Sequence, residues 1–434
     1  MTPIQIGLLS IIFIFILLFA RMPVAYVMLV VGMSGFAIIR TPAAMFSITS
    51  QTIYNTFASY SLIVIPMFVW MGYIAYYSGI SSRIYEATYK VMGSLKAGLA
   101  LATIAACAAF GAICGSTTAT AATMSSVALP EMKKYNYNRS LSTATIAAAA
   151  ILGVMIPPSV IFILYGISAQ ESIRKLFLAG IFPGLLLMAL FMLTAYLQAV
   201  RNPALAPAGP RVPWGEKLKA VMSEGVEVVF IFIAVMGGLF AGYFTPTEAG
   251  AMGVFATIVV ALARRQLTWQ GFVNSLNDSV RISAMIMFLV AAASVYGRFL
   301  AITGLPAGLA RWAVELPLSP VAIMAIILFI YLILGCFIDA LALILLTVPI
   351  FYPVAVELGY DPIWFGVIIV LALGMGVITP PVGANVYVVA GVDRETPVME
   401  IFQGVSWYLL AIIACIIILF IFPQIALFLP NLMP

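Results

Sequence analysis

Long apolar runs separated by short polar breaks dominate the sequence. A helix needs about 20 apolar residues to cross the hydrocarbon core of a bilayer. Runs near this length predict ten membrane spans, at about residues 4–20, 23–39, 61–77, 141–167, 176–200, 225–243, 247–263, 281–300, 362–390 and 403–427. The weakly amphipathic segments 41–58 and 266–279 predict helices that lie along the membrane surface.

Two further apolar stretches are too long for one span and contain small polar residues in their middle. The stretch near 97–129 is interrupted by Gly-Ser-Thr-Thr at 115–118, and the stretch near 319–357 by the segment from Gly335 to Asp339. Non-helical backbone at membrane depth is tolerated only inside protein or against a water-filled cavity. Each stretch therefore predicts a re-entrant hairpin, which enters and leaves on the same side.

An internal repeat relates the two halves of the chain. Tyr137, Gly153, Val154, Pro157 and Pro158 recur as Tyr360, Gly376, Val377, Pro380 and Pro381, at a constant shift of 223 positions. In each half a hairpin precedes the Pro-Pro pair, with Gly115 taken as the counterpart of Gly335. Each half then contains five full crossings, an odd number, so the second half must be inserted upside down.

These observations predict an all-α integral membrane protein built from two inverted repeats. The first repeat covers 1–200, with its hairpin at about 97–129 and a broken helix at 141–167. A cytoplasmic linker follows at 201–224. The second repeat covers 225–434, with its hairpin at about 319–357 and a broken helix at 362–390. Inverted repeats with broken helices are the architecture of many secondary transporters.

Basic residues indicate the orientation, because cytoplasmic loops are enriched in Lys and Arg. With both termini outside, all but five of the 20 basic residues face the cytoplasm. The five left outside are Arg40, Arg174, Lys175, Arg298 and Arg311. The cytoplasmic residues are Arg21, Arg83, Lys90, Lys96, Lys133, Lys134, Arg139, Arg201, Arg211, Lys217, Lys219, Arg264, Arg265, Arg281 and Arg394.

Composition agrees with a membrane protein and excludes several kinds of chemistry. Of 434 residues, 64% are hydrophobic and 8% are charged, whereas soluble domains carry about 25% charged residues. The absence of His excludes Ser-His and Cys-His catalysis and His metal sites. No phosphate-binding loop and no transition-metal cluster occur, so we expect neither ATP hydrolysis nor an enzyme, and no cofactor. The four cysteines lie in apolar runs and predict packing residues.

The two Pro-Pro pairs are candidate cation sites. Adjacent prolines remove backbone donors and break a helix, so the segments 153–159 and 376–385 should unwind near mid-membrane and free carbonyl oxygens. The alternative for each segment is a simple proline kink. The hairpin residues Ser116, Thr117 and Thr118 add hydroxyl oxygens, although small residues also serve close helix packing.

Asp339 is the most informative charged residue, because an unpaired carboxylate inside a membrane costs at least a few kcal/mol. A bound sodium ion would neutralise it; the alternative is an ion pair with Arg298. Glu248 is interpreted as a helix-start residue, with Thr247 as the cap.

Several motifs together resemble the large membrane subunit of TRAP transporters over essentially the whole chain. The matching segments are 115–123, 128–134, 153–159, 175–184, 243–250, 335–339, 361–366 and 376–385.

The resemblance implies the large permease of a tripartite importer in the bacterial inner membrane, working by an elevator motion driven by a sodium gradient. A periplasmic binding protein would deliver an organic acid, and a small four-helix membrane subunit would hold the permease in place. No four-span segment precedes residue 4, so we expect the small subunit to be a separate chain. No nucleic acid is involved.

The same resemblance implies roles for particular residues. One sodium site would comprise Gly115, Ser116, Thr118, Gly153 and Pro157. The other would comprise Gly335, Asp339, Thr379, Gly383 and Asn385. The substrate would lie between the hairpin tips, near Ser116, Thr117 and Asn385, with Arg298 a weaker candidate for its carboxylate.

Two other functional classes stay open at this point. A stand-alone sodium/dicarboxylate-type symporter of the same architecture would need no binding protein, and a channel or scaffold would not transport by alternating access. Among substrates, sialic acid is slightly favoured over C4-dicarboxylates, although the sequence itself does not distinguish organic acids.

Overall fold

The computed structural model describes residues 1–210 and 212–433, with only the backbone of Glu224. Arg211, predicted to lie in the cytoplasmic linker, is outside the described residues. The described part is helical and contains no strand, which confirms the predicted all-α class. Its helices, connected by short turns, occupy all ten predicted spans and both predicted hairpins.

The first half contains α1 to α11. Their bounds are α1 Pro3–Phe19, α2 Val24–Ile39, α3 Pro42–Phe57, α4 Val64–Tyr77, α5 Ile80–Met92, α6 Gly98–Cys114, α7 Thr117–Lys134, α8 Arg139–Ala149, α9 Leu152–Met155, α10 Val160–Ala169 and α11 Ile173–Arg201. The predicted hairpin is the pair α6 and α7. The broken helix is the run from α8 to α10, which bends by 45°.

The second half contains α12 to α23. Their bounds are α12 Trp214–Ala220, α13 Val226–Phe232, α14 Gly238–Ala241, α15 Pro246–Ala263, α16 Trp269–Thr303, α17 Leu305–Glu315, α18 Pro320–Gly335, α19 Ala340–Glu357, α20 Pro362–Gly376, α21 Ala384–Val392, α22 Val398–Ile421 and α23 Gln424–Asn431. Two π-helical turns join α12, α13 and α14 into one continuous helix. The predicted hairpin is the pair α18 and α19, and the broken helix is the pair α20 and α21.

Several boundaries differ from the sequence-based expectation. The predicted surface helix 266–279 and the span 281–300 form one helix of 35 residues, α16, because no Gly or Pro separates them. The end of the predicted linker 201–224 is already helical from Trp214. The helices α5 and α17 were not predicted. Thr245, not Thr247, caps α15, forming a capping box with Glu248.

Within the described residues, seven helices are long and apolar enough to cross a membrane, or eight if the bent pair is one span. The chain is therefore a multi-pass membrane protein. The shorter apolar helices include α1, α2, α6, α18 and α20. One hairpin arm, α19, is also long and apolar enough to be a membrane span. Helix length therefore does not identify the hairpins as re-entrant, and that prediction rests on their polar turns and on the internal repeat.

The internal repeat extends to the helix starts. Ser116 caps α7 and Asp339 caps α19; Asn138 caps α8 and Asp361 caps α20. Each pair is separated by 223 positions, as the two Pro-Pro pairs are. By the same shift, Ser116 at the first tip corresponds to Asp339, and the expected match of Gly115 with Gly335 is displaced by three residues.

Glycine pairs bring each hairpin against the broken helix of its own repeat. A Cβ built on Gly111 in α6 would lie 2.4 Å from the Cα of Gly153. A Cβ built on Gly376 in α20 would lie 2.6 Å from the Cα of Gly335. Only glycine allows such close approach of two backbones, as at other small-residue helix crossings. Gly335 and Gly111 are thus the structurally matching positions.

The polar contacts join residues that the sequence analysis placed on the same side of the membrane. Arg83 of α5 and Arg264 of α15 both pair with Glu227 of α13, whose side chain is only 8% exposed. On the opposite face, Arg174 donates a hydrogen bond of 2.7 Å to the carbonyl oxygen of Phe240. This agreement supports the predicted arrangement of loops.

The glycine contacts lead to a stability prediction. We expect Gly376→Ala to lower the melting temperature of the purified protein, because overpacking against backbone costs about 1–3 kcal/mol. The control is Gly297→Ala in α16, where no atom lies within 4 Å of the added Cβ. That change should be neutral or stabilising. Equal melting temperatures for the two variants in detergent would contradict the close packing.

Candidate functional site

A cavity of about 730 Å³ lies between the two hairpin tips and the helices α4 and α16. We call it the central cavity. One side is formed by the first tip and α7, and the second tip reaches the cavity at Asp339 to Leu341. The start of α10 contributes Val160 and Ile161, and α21 contributes Val388 and Val392, so both repeats line one space.

The first tip is a tight turn held against the first Pro-Pro segment. Gly115 ends α6 with a φ of 64°, a left-handed conformation that favours glycine. Ser116 then caps α7, accepting a hydrogen bond from the N–H of Ala119. A Cβ on Gly115 would lie 3.0 Å from the carbonyl oxygen of Pro158. The turn thus brings hydroxyl and carbonyl oxygens together around a small gap.

Gly153 lies directly behind this tip. A Cβ on Gly153 would lie 2.7 Å from Thr120 Oγ1 and 3.1 Å from the carbonyl oxygen of Ser116. Thr120 Oγ1 donates to that same carbonyl at 2.7 Å. The Pro157–Pro158 bond is cis, and the segment around it is buried. The structure therefore brings together Gly115, Ser116, Thr118, Gly153 and Pro157, the five residues of the first predicted sodium site.

The second tip places a carboxylate at the cavity. Asp339 caps α19 by accepting a hydrogen bond of 3.0 Å from the N–H of Leu341. Its side chain is exposed, and that exposed surface faces the central cavity. Arg298 does not line the cavity and is exposed elsewhere on α16. The structure thus contains no Asp339–Arg298 ion pair, and it does not bring Arg298 to the predicted substrate site.

The remaining residues of the second predicted site do not line the central cavity. Gly335 packs on Gly376, and Gly383 starts α21 with a φ of 54°. Thr379 Oγ1 donates to the carbonyl oxygen of Met375 at 2.6 Å. None of Gly335, Thr379 and Gly383 lines the central cavity.

Asn385 is fully buried and connects the two repeats. Its Nδ2 donates a hydrogen bond of 3.1 Å to the carbonyl oxygen of Ala147 in α8. Its Oδ1 is buried and has no hydrogen-bond partner among the residues that the structure describes. A buried amide oxygen without a partner is costly, so this oxygen is available to a ligand. Asn385 does not line the cavity beside Ser116 and Thr117, where the substrate was predicted.

The sequence analysis missed a second carboxylate in the cavity. Asp278 of α16 accepts a hydrogen bond of 2.6 Å from the hydroxyl of Tyr77 in α4, and both residues line the cavity with Tyr73 and Tyr76. Asp278 falls at the end of a segment that was interpreted as a surface helix, where a charged residue is expected. One sequence signal could have identified it, because Asp278 lies on the same helix face as the apolar residues Ile282 and Met285.

Polar contacts tie each hairpin to the other repeat's broken helix. Lys133 at the end of α7 contacts Glu395 at 2.7 Å, and Arg139 contacts the same carboxylate at 3.0 Å. The hydrogen bond from Lys133 and the nearby positive charges lower the pKa of Glu395 from its ordinary value. In the other repeat, Tyr352 of α19 donates to Glu171 after α10 at 2.7 Å. The hairpins and broken helices of the two repeats therefore contact each other and form one group of helices.

Comparison with known proteins gives the class of this molecule. The sequence model of the family described as "Tripartite ATP-independent periplasmic transporter, DctM component" matches residues 11–425. The chain belongs to this family of TRAP transporter large permeases, as the motifs indicated, and it is a transport protein and not an enzyme.

Relatives at similar identity differ in the substrate that their names give. The C4-dicarboxylate TRAP transporter large permease DctM of Pseudomonas aeruginosa is 33% identical, over 87% of this chain and 88% of that protein. The sialic acid large permease SiaM of Vibrio cholerae is 31% identical over 96% of both chains. The ectoine/5-hydroxyectoine large permease UehC of Ruegeria pomeroyi is 33% identical over 86% of both.

Solved structures with the same fold are more distant in sequence. The Alcanivorax borkumensis YdaH transporter has a TM-score of 0.64 at 14% identity, covering 90% of each chain. The Neisseria gonorrhoeae MtrF efflux pump has a TM-score of 0.58 at 15% identity, covering 96% of this chain and 95% of that one. These similarities show a shared transporter fold.

The central cavity predicts a pattern of chemical labelling. In a background where the native cysteines are replaced, we expect Ser126→Cys to react with a hydrophilic maleimide, because Ser126 is exposed and lines the cavity. Its neighbour Ser125 is fully buried, so Ser125→Cys is the matched control and should stay unlabelled. Equal labelling of both positions would contradict a water-filled cavity beside α7.

Proposed function

We propose that this chain is the permease of a sodium-driven importer of an organic acid, which moves its hairpins and broken helices as an elevator. The observation that carries the proposal is the unpaired Asp339 carboxylate, which reaches a central cavity shared with the first hairpin tip. Carboxylates within membrane-spanning proteins mark ion pathways, and Asp339 has no ion-pair partner among the described residues. A cation that binds there and leaves again would couple its own gradient to the movement.

Neutral oxygen atoms favour sodium at the first tip. The carbonyl oxygens of Ser116 and Pro158 and the hydroxyls of Ser116 and Thr118 are the available ligands there. The second site would combine Asp339 with the second broken helix, where Gly335, Thr379, Gly383 and Asn385 lie. Sodium is a hard cation that prefers such oxygen ligands. Each positive charge moved inward across 100 mV gains about 2.3 kcal/mol, so two ions would drive import of a monoanion.

The packing supports an elevator motion. α7 packs on α21 and α19 packs on α10, so each hairpin crosses to the broken helix of the other repeat. A second group forms where α16 packs on α2 and α4, and α15 packs on α4. The central cavity lies between these two groups. We propose that the first group carries substrate past the second, with the two repeats inserted in opposite orientations.

The lining of the central cavity extends along α7. It follows α7 from Thr117 to Ser126, toward the basic end at Lys133 and Lys134. By the distribution of Lys and Arg this end is cytoplasmic, so we propose that the structure faces inward. Both termini would then be periplasmic, in a bacterial inner membrane.

Partners and substrate class follow from the family. We propose a small four-helix membrane subunit and a periplasmic binding protein as partners. The substrate is proposed to be an organic acid, since relatives are named for C4-dicarboxylates, sialic acid and isethionate. The hydroxyl groups at Ser116 and Thr117 would contact it at the first tip.

Reconstitution tests this proposal directly. The chain, the small subunit and the binding protein would be combined in proteoliposomes, and uptake of labelled organic acids measured with and without an inward sodium gradient. Uptake that needs both sodium and the binding protein is the expected result. Sodium-driven uptake by the chain alone would show a stand-alone symporter, and sodium-independent flux would contradict the coupling.

A single substitution tests the role of Asp339. We expect Asp339→Asn to reduce sodium-dependent uptake at least tenfold, because the variant lacks the charge that attracts the ion. Asn caps helices about as well as Asp, so the variant should fold. Asp361→Asn is the matched control, since Asp361 caps α20 in the same way but does not line the cavity. Unchanged sodium dependence in Asp339→Asn would exclude this residue from the site.

A further inference from the structure

One wall of the central cavity has a chemistry that the sodium sites do not use. Tyr73, Tyr76 and Tyr77 of α4 line the cavity beside Asp278 of α16. The Tyr77 hydroxyl donates to Asp278 Oδ2 at 2.6 Å, and no protein hydrogen bond is described for the other carboxylate oxygen. Three aromatic rings and a carboxylate with a free oxygen thus face one space.

The charge of the cavity is negative. Its described lining includes the carboxylates Asp278 and Asp339 and neither Lys nor Arg. Arg281, three residues beyond Asp278, is exposed and does not line the cavity. Among the residues that the structure describes, Asp278 has no ion-pair partner. A ligand whose charges are all negative would therefore meet repulsion at this wall.

A cationic nitrogen would meet the opposite situation. Ammonium and quaternary ammonium groups are attracted to the faces of aromatic rings. An N–H cation also forms a charge-assisted hydrogen bond with a carboxylate, which is about twice as strong as a neutral one. Tyrosine rings beside a carboxylate therefore form the kind of surface that selects positively charged nitrogen.

We infer that the transported organic acid also carries a cationic nitrogen, so that the substrate is a zwitterion. This inference rests on the proposed function, because it takes the central cavity as the substrate site. The nitrogen binds at Asp278 and the tyrosine wall. The carboxylate binds at the first tip, where the hydroxyls of Ser116 and Thr117 lie at the N-terminus of the 18-residue helix α7.

This arrangement gives the two cavity carboxylates separate roles. Asp339 lies on the hairpin that is proposed to move and to hold sodium. Asp278 lies on α16, in the group of helices that is proposed to stay fixed. A substrate held between Asp278 and the first tip would span the boundary between the two groups, so binding would depend on their relative position.

Matched pairs of acids test the inference. The full chain with its small subunit would be melted in detergent at saturating sodium, with succinate against 4-aminobutanoate and glutarate against 5-aminopentanoate. The trimethylammonium form of butanoate and N-acetylneuraminate would extend the panel. We expect the acids with a cationic nitrogen to raise the melting temperature more than their partners do.

Substitutions then assign the effect to this wall. Asp278→Asn should weaken the binding of the zwitterions at least tenfold, with little change for acids without a cationic nitrogen. Tyr77→Phe keeps the ring but lacks the hydrogen bond to Asp278, and it should have a smaller effect. Stabilisation by sodium alone should be unchanged in both variants, which separates this wall from the sodium sites.

The outcomes distinguish this inference from the proposed function. Stronger binding of succinate, glutarate or N-acetylneuraminate, unaffected by Asp278→Asn, would overturn the zwitterion while leaving sodium-driven uptake of an organic acid intact. Failure of every acid to stabilise the protein would also overturn it. Loss of sodium-driven uptake in reconstituted vesicles, measured independently, would instead contradict the proposed function itself.

Discussion

The need to satisfy the backbone of interrupted helices inside a membrane controls the arrangement of this protein. Hydrocarbon offers no hydrogen-bond partners, so non-helical segments must be enclosed by protein. Around the first Pro-Pro pair every residue from 141 to 166 is buried. That enclosure is possible because Gly111 and Gly153 let the hairpin approach the broken helix at backbone distance. The same glycines leave carbonyl oxygens facing a small gap instead of packed side chains.

The second break differs from the first, although the sequence repeat is close. Pro380, Pro381 and Val382 are exposed, whereas Pro157 and Pro158 are buried. The glycine contact is kept, through Gly335 and Gly376. The two breaks thus share their packing against the hairpins and differ in what covers them. Such a difference would suit the proposed elevator at one end of its cycle, because the helices proposed to stay fixed would then enclose only one of the two related sites.

The sequence predicted the helices better than it predicted which residues meet. Hydrophobic run length located helices at the predicted spans, although only seven or eight of the described helices are long and apolar enough to cross a membrane. The Pro-Pro repeat located both broken helices, because this signal is local. The amphipathic helices α5 and α17 were missed, since their charged residues, such as Arg83 and Arg311, interrupt the apolar pattern. The fusion of two predicted segments into α16 was also missed, because an amphipathic start and an apolar continuation look like separate elements.

In the candidate site, too, the sequence did not show which residues contact one another. The motif placed Ser116 and Asp339 at the hairpin tips, and they line one cavity. It also suggested Arg298, which points elsewhere, because a sequence does not show which face of a long helix looks inward. Asp278 lies on the same helix and does face the cavity. Its partner Tyr77 is 201 positions away in the sequence, and no local pattern connects the two residues.

The negative cavity has a consequence for the order of binding. In the proposed mechanism, Asp278 and Asp339 would together repel any carboxylate that enters before sodium is bound. A sodium ion bound at Asp339 would compensate one of these charges and place a cation near the first tip. The substrate carboxylate would then meet hydroxyls and a helix N-terminus with less repulsion. Substrate affinity would thus depend on prior sodium binding, and by reciprocity the substrate would strengthen the binding of sodium. Coupling of this kind needs no direct contact between sodium and the substrate. It needs only a cavity whose negative charges are not neutralised until the sodium ion binds.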